Sequence, residues 1–189
     1  MKRKDADAII FLLDNRDKEL SIRHVSIGLH IDYKSAHNII TRLAKTGLIE
    51  LTPFGRSKRV TLKQTPHPLV YEAEHERRNK ILKDKNIKTI LDYFLSNLKT
   101  RLFIILLFGS YAKKTQTKAS DIDLLFITPT REAEKDIHRV AAMIPLTIHL
   151  NIFTEQEFQA MKNSREPTVG SVALKNNIIL YGIEAYHEL

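Results

Sequence analysis

Leu106–Ile127 reads LLFGSYAKKTQTKASDIDLLFI, and its reading decides the fold of the larger part of the chain. The unbroken apolar run from Leu102 to Phe108 has strand length and predicts a buried central strand. Gly109-Ser110 ends that strand in a turn. A polar, basic loop with Lys113, Lys114 and Lys118 follows, and the chain closes on a second apolar strand at 122–127. Asp121 and Asp123 stand at the head of this second strand. Strand residues two apart project from the same face, so the two carboxylates are expected side by side while Ile122 and Leu124 face the core. Like charges that close repel unless a cation lies between them. A hard divalent ion fits such a seat, because Mg²⁺ takes oxygen ligands and commonly binds one or two carboxylates together with phosphate oxygens. Just upstream, Gly109 permits close backbone approach to a phosphate. The Ser110 hydroxyl and neighbouring amides can donate to phosphate oxygens, and Lys113 and Lys114 add positive charge, although loop lysines are more often simply solvated.

Working outward, 87–98 is amphipathic, with Ile87, Ile90, Leu91, Phe94, Leu95 and Leu98 on one helical face. A helix is expected over 131–142, a third strand in PLTIHLNIF (145–153), a helix over 154–162, and a last helix near 168–175 leading into NIILYG. Alternation along the third strand puts Thr147, His149, Asn151 and Phe153 on one face. The strand carries no acidic residue, and Glu155 and Glu157 follow only in the helix.

Gly-Ser, a basic loop and Ser-Asp-x-Asp-Leu between two apolar strands resemble the polymerase-beta-like nucleotidyltransferase superfamily, and most of all its minimal nucleotidyltransferase branch, over about residues 85–183. The resemblance implies a small mixed-sheet α/β domain and transfer of a nucleotidyl group from a nucleoside triphosphate to an acceptor, dependent on Mg²⁺ or Mn²⁺. It implies that Asp121 and Asp123 hold metal and that Gly109, Ser110, Lys113 and Lys114 hold the nucleotide. The family usually supplies a third carboxylate from a later strand, and here that position is His149. A neutral imidazole brings no negative charge and is a poor Mg²⁺ ligand, though a fair one for Mn²⁺ or Zn²⁺. It can also accept a proton, with an ordinary pKa of about 6.5. His149 therefore stands as a candidate catalytic residue, as base or ligand, beside the alternative of an inert hydrogen-bonding side chain.

The first third of the chain differs in charge. Residues 1–65 hold 13 Lys and Arg against 7 Asp and Glu, a net of +6 out of +8 for all 189 residues. A basic small domain suggests a polyanionic partner. Residues 4–15 predict a helix. Ser21 caps a second helix, SIRHVSIGLH, and Asp32 a third, DYKSAHNIITRLAKTG, which Gly47 stops. LIELT and RVTLK read as a hairpin around PFGRSK. This segment, about residues 5–64, resembles a winged helix-turn-helix. The resemblance implies binding of double-stranded DNA, with the third helix in the major groove through Tyr33, Lys34, Ser35, His37, Asn38 and Arg42. The wing would touch phosphate through Arg56, Lys58 and Arg59.

The expected architecture is α+β: a winged helix-turn-helix at 1–65, a linker helix at 66–84 opened by the proline pair of KQTPHPLV, and a nucleotidyltransferase-like domain at 85–189. With 43% apolar and 28% charged residues a packed core is possible. No run approaches the roughly 20 apolar residues of a membrane helix. The basic N-terminus is a poor signal peptide, and cysteine is absent, which excludes disulfides and thiolate metal sites and fits a cytoplasmic protein. His75, His138 and His187 are expected on the surface. No His pair at helical spacing, phosphate-loop motif or Gly-x-Gly-x-x-Gly is present, so zinc-protease, P-loop and Rossmann sites are unsupported. Three readings stay open: a nucleotide-transferring enzyme; a DNA-binding regulator whose second domain binds nucleotide or a partner without turnover; and an antitoxin-like component working with a small helical protein. A homodimer is compatible with each.

Overall fold

The computed structural model describes residues 2–55, 57–117, 120–163 and 168–189. The chain divides between His75 and Glu76 into two compact units.

The first unit opens with helices α1 (Lys2–Asp14), α2 (Ile22–Gly28) and α3 (Tyr33–Lys45), followed by strands β1 (Ile49–Phe54) and β2 (Ser57–Leu62). Local capping chemistry sets the helix starts. The Ser21 hydroxyl accepts from the His24 N–H, and His24 Nδ1 accepts in return from the Ser21 N–H at 3.0 Å. Asp32 accepts from the Ser35 N–H at 2.8 Å and from its hydroxyl at 2.6 Å, and these bonds hold its carboxyl below the ordinary value. Gly47, at φ +81°, turns the chain out of α3 where an L side chain would be strained. The faces so aligned bury Ile9, Leu13, Val25, Ile40, Leu43 and Val60 in one core. β1 and β2 pair antiparallel from Ile49↔Leu62 to Phe54↔Ser57. The hairpin is also pinned from its other side. The Val60 N–H donates to the Leu20 carbonyl at 2.8 Å, and Ser21 bridges Arg59. The hydropathy pattern had not suggested this third partner.

Helix α4 (Pro68–Ile81) begins at the second proline of the pair. Proline suits a first helical position, since its missing N–H would be unpaired there anyway. The division into units therefore falls inside a helix rather than at the prolines.

The second unit is a four-stranded mixed sheet of order β5-β4-β3-β6. Its strands are β3 (Ile104–Phe108), β4 (Ile122–Thr128), β5 (Ile148–Thr154) and β6 (Ile178–Tyr181). β4 runs parallel to β5, while β3 is antiparallel to both β4 and β6. Asp84 caps α5 (Lys85–Asn97) through the N–H groups of Asn86 and Ile87. The apolar stripe of α5 joins α7 (Glu134–Ala141) over Ile105, Leu107, Leu124 and Phe126. The alternate residues Leu106, Leu125 and Ile127 are buried as well, so both sheet faces are covered. α8 (Glu155–Asn163) packs on β4 and β5, and α9 (Val169–Lys175) packs on β3.

Several expectations need correction. The first strand starts at Ile104, and Leu102 is 71% exposed. Gly109-Ser110 opens a short helix, α6 (Gly109–Lys113), instead of a simple turn. The helix expected at 131–142 begins as a tight 3₁₀ turn, Arg131–Ala133, before α7. NIILYG supplies the edge strand β6, and a further helix, α10 (Ile183–Glu188), follows it. His187, expected on the surface, is buried, with its ring edge-on to Tyr186. Among the described residues no helix is long and apolar enough to cross a membrane.

Asp136, in the first turn of α7, accepts from Arg139 at 2.6 and 3.0 Å and from the Lys99 N–H at 3.3 Å. The Arg139 guanidinium is the main cause that holds this carboxyl below 3.8. A carboxyl depressed by folding contributes stability that is present above its unfolded pKa and lost as pH falls through the folded one. Asp136→Asn should therefore lower the Tm at neutral pH, and the gap to wild type should close as the pH falls below 3.8. A gap that stays constant across that range in thermal melts would remove the ionic contribution.

Candidate active site and nucleic-acid interface

Three segments converge at one end of the sheet. β3 runs directly into Gly109, and its antiparallel register sets Phe108 opposite Asp123. The parallel pairing of β4 and β5 sets His149 opposite Asp123 from the other side. The Asp123 carboxylate is consequently held between two neighbours. Its Oδ1 lies 3.2 Å from His149 Nδ1. Its Oδ2 lies 2.0 Å from the point where a β-carbon on Gly109 would stand. Only glycine leaves that space, and Gly109 also takes φ +68°, where glycine is favoured. The Asp123 side chain is 24% exposed and that of His149 is 68% exposed.

β4 begins at Ile122, whose N–H donates to the Thr147 carbonyl at 3.1 Å, and Asp121 is an exposed residue just before the strand. Among the described residues no three His, Asp or Glu side chains come together as a metal-holding group. The structure thus unites Asp123, His149 and Gly109, with Asp121 at the strand entrance.

Ser110 is half-buried in the first turn of α6, whose start receives no side-chain cap. Lys113 closes that helix and is exposed. Lys114 follows it at φ +58° and is exposed too. The approach to β4 is held by a small turn in which the Thr117 N–H donates to Ser120 Oγ at 2.9 Å and the Ser120 N–H to the Thr117 carbonyl at 3.1 Å. Lys118 lies outside the described residues. Sequence reasoning passed over Asn151, two residues along β5 from His149. Its Nδ2 is buried with no hydrogen-bond acceptor among the described residues. An asparagine in the expected third strand carried no signal of its own.

In the first unit a groove of about 750 Å³ is lined by Arg23, Tyr33, His37, Thr41 and Lys58, among others. Lys34 and Asn38 are exposed on α3. The other candidates are engaged within the unit. Ser35 serves the Asp32 cap. Arg42 binds both carboxylate oxygens of Asp5, with Nε to Oδ2 at 3.2 Å, and these bonds raise its already high pKa. Arg59 pairs with Glu19 and lies over the Phe54 ring, 4.9 Å from its centroid. Arg56 lies outside the described residues. Arg23, on α2, was not anticipated, because only the groove brings it beside Tyr33 and Lys58.

Residues 87–167 match the family described as nucleotidyltransferase domain. The matched segment contains β3, β4 and β5 and with them Gly109, Ser110, Asp121, Asp123 and His149, which supports a nucleotidyltransferase-like function in general. No curated protein and no solved structure matches the chain.

Proposed function

We infer that the protein transfers a nucleotidyl group from a nucleoside triphosphate to an acceptor, and that its first unit is a winged helix-turn-helix binding double-stranded DNA. The observation that carries the first part is the seating of Asp123 on Gly109, inside the segment that matches the nucleotidyltransferase family. Domains of this kind generally use a divalent metal with the triphosphate. The donor set fits one: carboxylate oxygens from Asp123, seated against Gly109, and from Asp121 at the strand entrance. Bound there, the metal would neutralise charge on the attacking and leaving oxygens. Gly109 and Ser110 would grip the phosphates with backbone and hydroxyl donors, and Lys113 and Lys114 would draw the triphosphate in. The deciding experiment gives the full chain α-labelled nucleoside triphosphate with Mg²⁺ or Mn²⁺ and looks for label on protein, nucleic acid or small acceptors. No label with any metal, together with tight duplex binding, would leave the regulator reading, which His149 in place of a carboxylate favours.

The DNA reading rests on the exposed residues of α3, the hairpin beside it and the net charge of this segment. Arg42 and Arg59 drop to a supporting role, because their guanidinium groups are engaged by Asp5 and Glu19. Lys34→Ala and Lys58→Ala should each weaken duplex binding about equally across sequences and reduce the salt slope by about 1. Arg59→Ala should change thermal stability more than it changes the slope. A titration of duplex affinity against salt checks both, and unchanged slopes for the two lysine variants would remove this face from the account.

A further inference from the structure

We propose that His149 is a metal ligand, so that the site selects a first-row transition ion of the Mn²⁺ type over Mg²⁺. This rests on the nucleotidyltransferase reading above and concerns which ion that site takes.

The argument begins with the register. The parallel pairing of Asp123 with His149 fixes the two side chains as neighbours on adjacent strands. Their facing atoms, Oδ1 and Nδ1, are 3.2 Å apart. With ligand bonds of about 2.1 Å, two neighbouring ligands of one ion are separated by about 3.0 Å in an octahedron and about 3.4 Å in a tetrahedron. The observed separation lies between these values, so the pair can close on a single ion with little movement. The same distance also suits a hydrogen bond from an Nδ1–H to the carboxylate, and the test must separate the two.

Donor chemistry then sets the preference. Mg²⁺ demands oxygen ligands and near-ideal octahedral geometry. An imidazole nitrogen suits later first-row ions, whose affinity for mixed nitrogen and oxygen donors rises from Mn²⁺ onward. Replacing a carboxylate by a neutral imidazole also removes one negative charge, which weakens the binding of a hard cation most. The high exposure of His149 leaves its ring free of packing that would hold it away from an incoming ion.

The experiment uses the full chain with Mn²⁺ and Mg²⁺ alone, by competition calorimetry and by pulsed electron paramagnetic resonance of the bound Mn²⁺. Wild type should show a histidine-nitrogen coupling on Mn²⁺, and His149→Asn should lose it. His149→Asp should lower the Mn²⁺-to-Mg²⁺ affinity ratio by about tenfold or more, in line with the usual effect of a changed ligand environment. Circular dichroism confirms that the variants fold. Bound Mn²⁺ without nitrogen coupling, or a ratio unmoved in both variants, would mean that His149 only hydrogen-bonds Asp123. That result overturns the inference and leaves the transfer reading intact. If neither ion binds wild type, or if Asp123→Asn leaves binding unchanged, the transfer reading itself fails together with the inference.

Discussion

Alanine at position 109 should abolish nucleotidyl labelling and destabilise the second unit. Two independent effects act at this residue. The backbone lies at φ +68°, where a β-carbon is strained by about 1–2 kcal/mol. The added carbon would also stand 2.0 Å from Asp123 Oδ2 and 2.9 Å from its Cγ, so the carboxylate must swing away. That swing breaks the contact with His149 and takes the Asp123 carboxylate out of its seat. Gly47→Ala separates the two effects. Gly47 also sits at positive φ, +81°, but nothing lies within 4 Å of its missing β-carbon. Thermal melts should show a loss for both variants, larger for Gly109→Ala, at about 2–4 °C per kcal/mol for a chain of this size. Labelling should vanish only in Gly109→Ala. If Gly109→Ala labels as well as Gly47→Ala, the seat of Asp123 is not the reacting centre.

Asp123→Asn should reduce labelling about a thousandfold, because electrostatic stabilisation by a bound ion amounts to several kcal/mol of the barrier and an amide cannot hold that ion. The substitution keeps size and shape, so the register around Phe108 and His149 should persist and the Tm should scarcely move. Asp121→Asn should act in the same direction. Asp121 lies outside the strand and exposed, so its contribution depends on the ion drawing it in, and its variant should lose metal affinity without any change in stability. Both variants should bind duplex DNA as wild type does, since the residues proposed to face DNA belong to the other unit. Labelling that survives in Asp123→Asn would end the catalytic reading and leave a chain whose sheet domain serves another purpose.

The parts of this fold that were legible in the sequence are those set by local chemistry. Ser21 and Asp32 cap helices through N–H groups only three residues away, and Gly47 stops a helix by its own backbone angle. The apolar runs around Gly109 and Asp123 announce central strands because burial on both faces removes alternation. What was not legible depends on pairs far apart in the chain. Arg42 and Arg59 read as cations available to DNA, and nothing nearby revealed Asp5, 37 residues away, or Glu19, 40 residues away. His149 could be set beside the aspartates only through the family resemblance, because its pairing with Asp123 follows from the register of two parallel strands. β6 went unassigned as a strand and α10 was not foreseen, and the burial of His187 depends on that last helix packing through Tyr186.

β5 is an outer strand of its sheet, and the His149 side chain is mostly in water. A residue in that position can be exchanged without opening a cavity or leaving a core group unpaired. Evolution can therefore alter the chemistry beside Asp123 by single substitutions that the folding equilibrium barely registers. Carboxylate, imidazole and amide all fit the exposed space at this point and differ in the charge they set beside Asp123. If the sheet domain transfers nucleotides as proposed, such steps would alter or silence it while the chain stays folded.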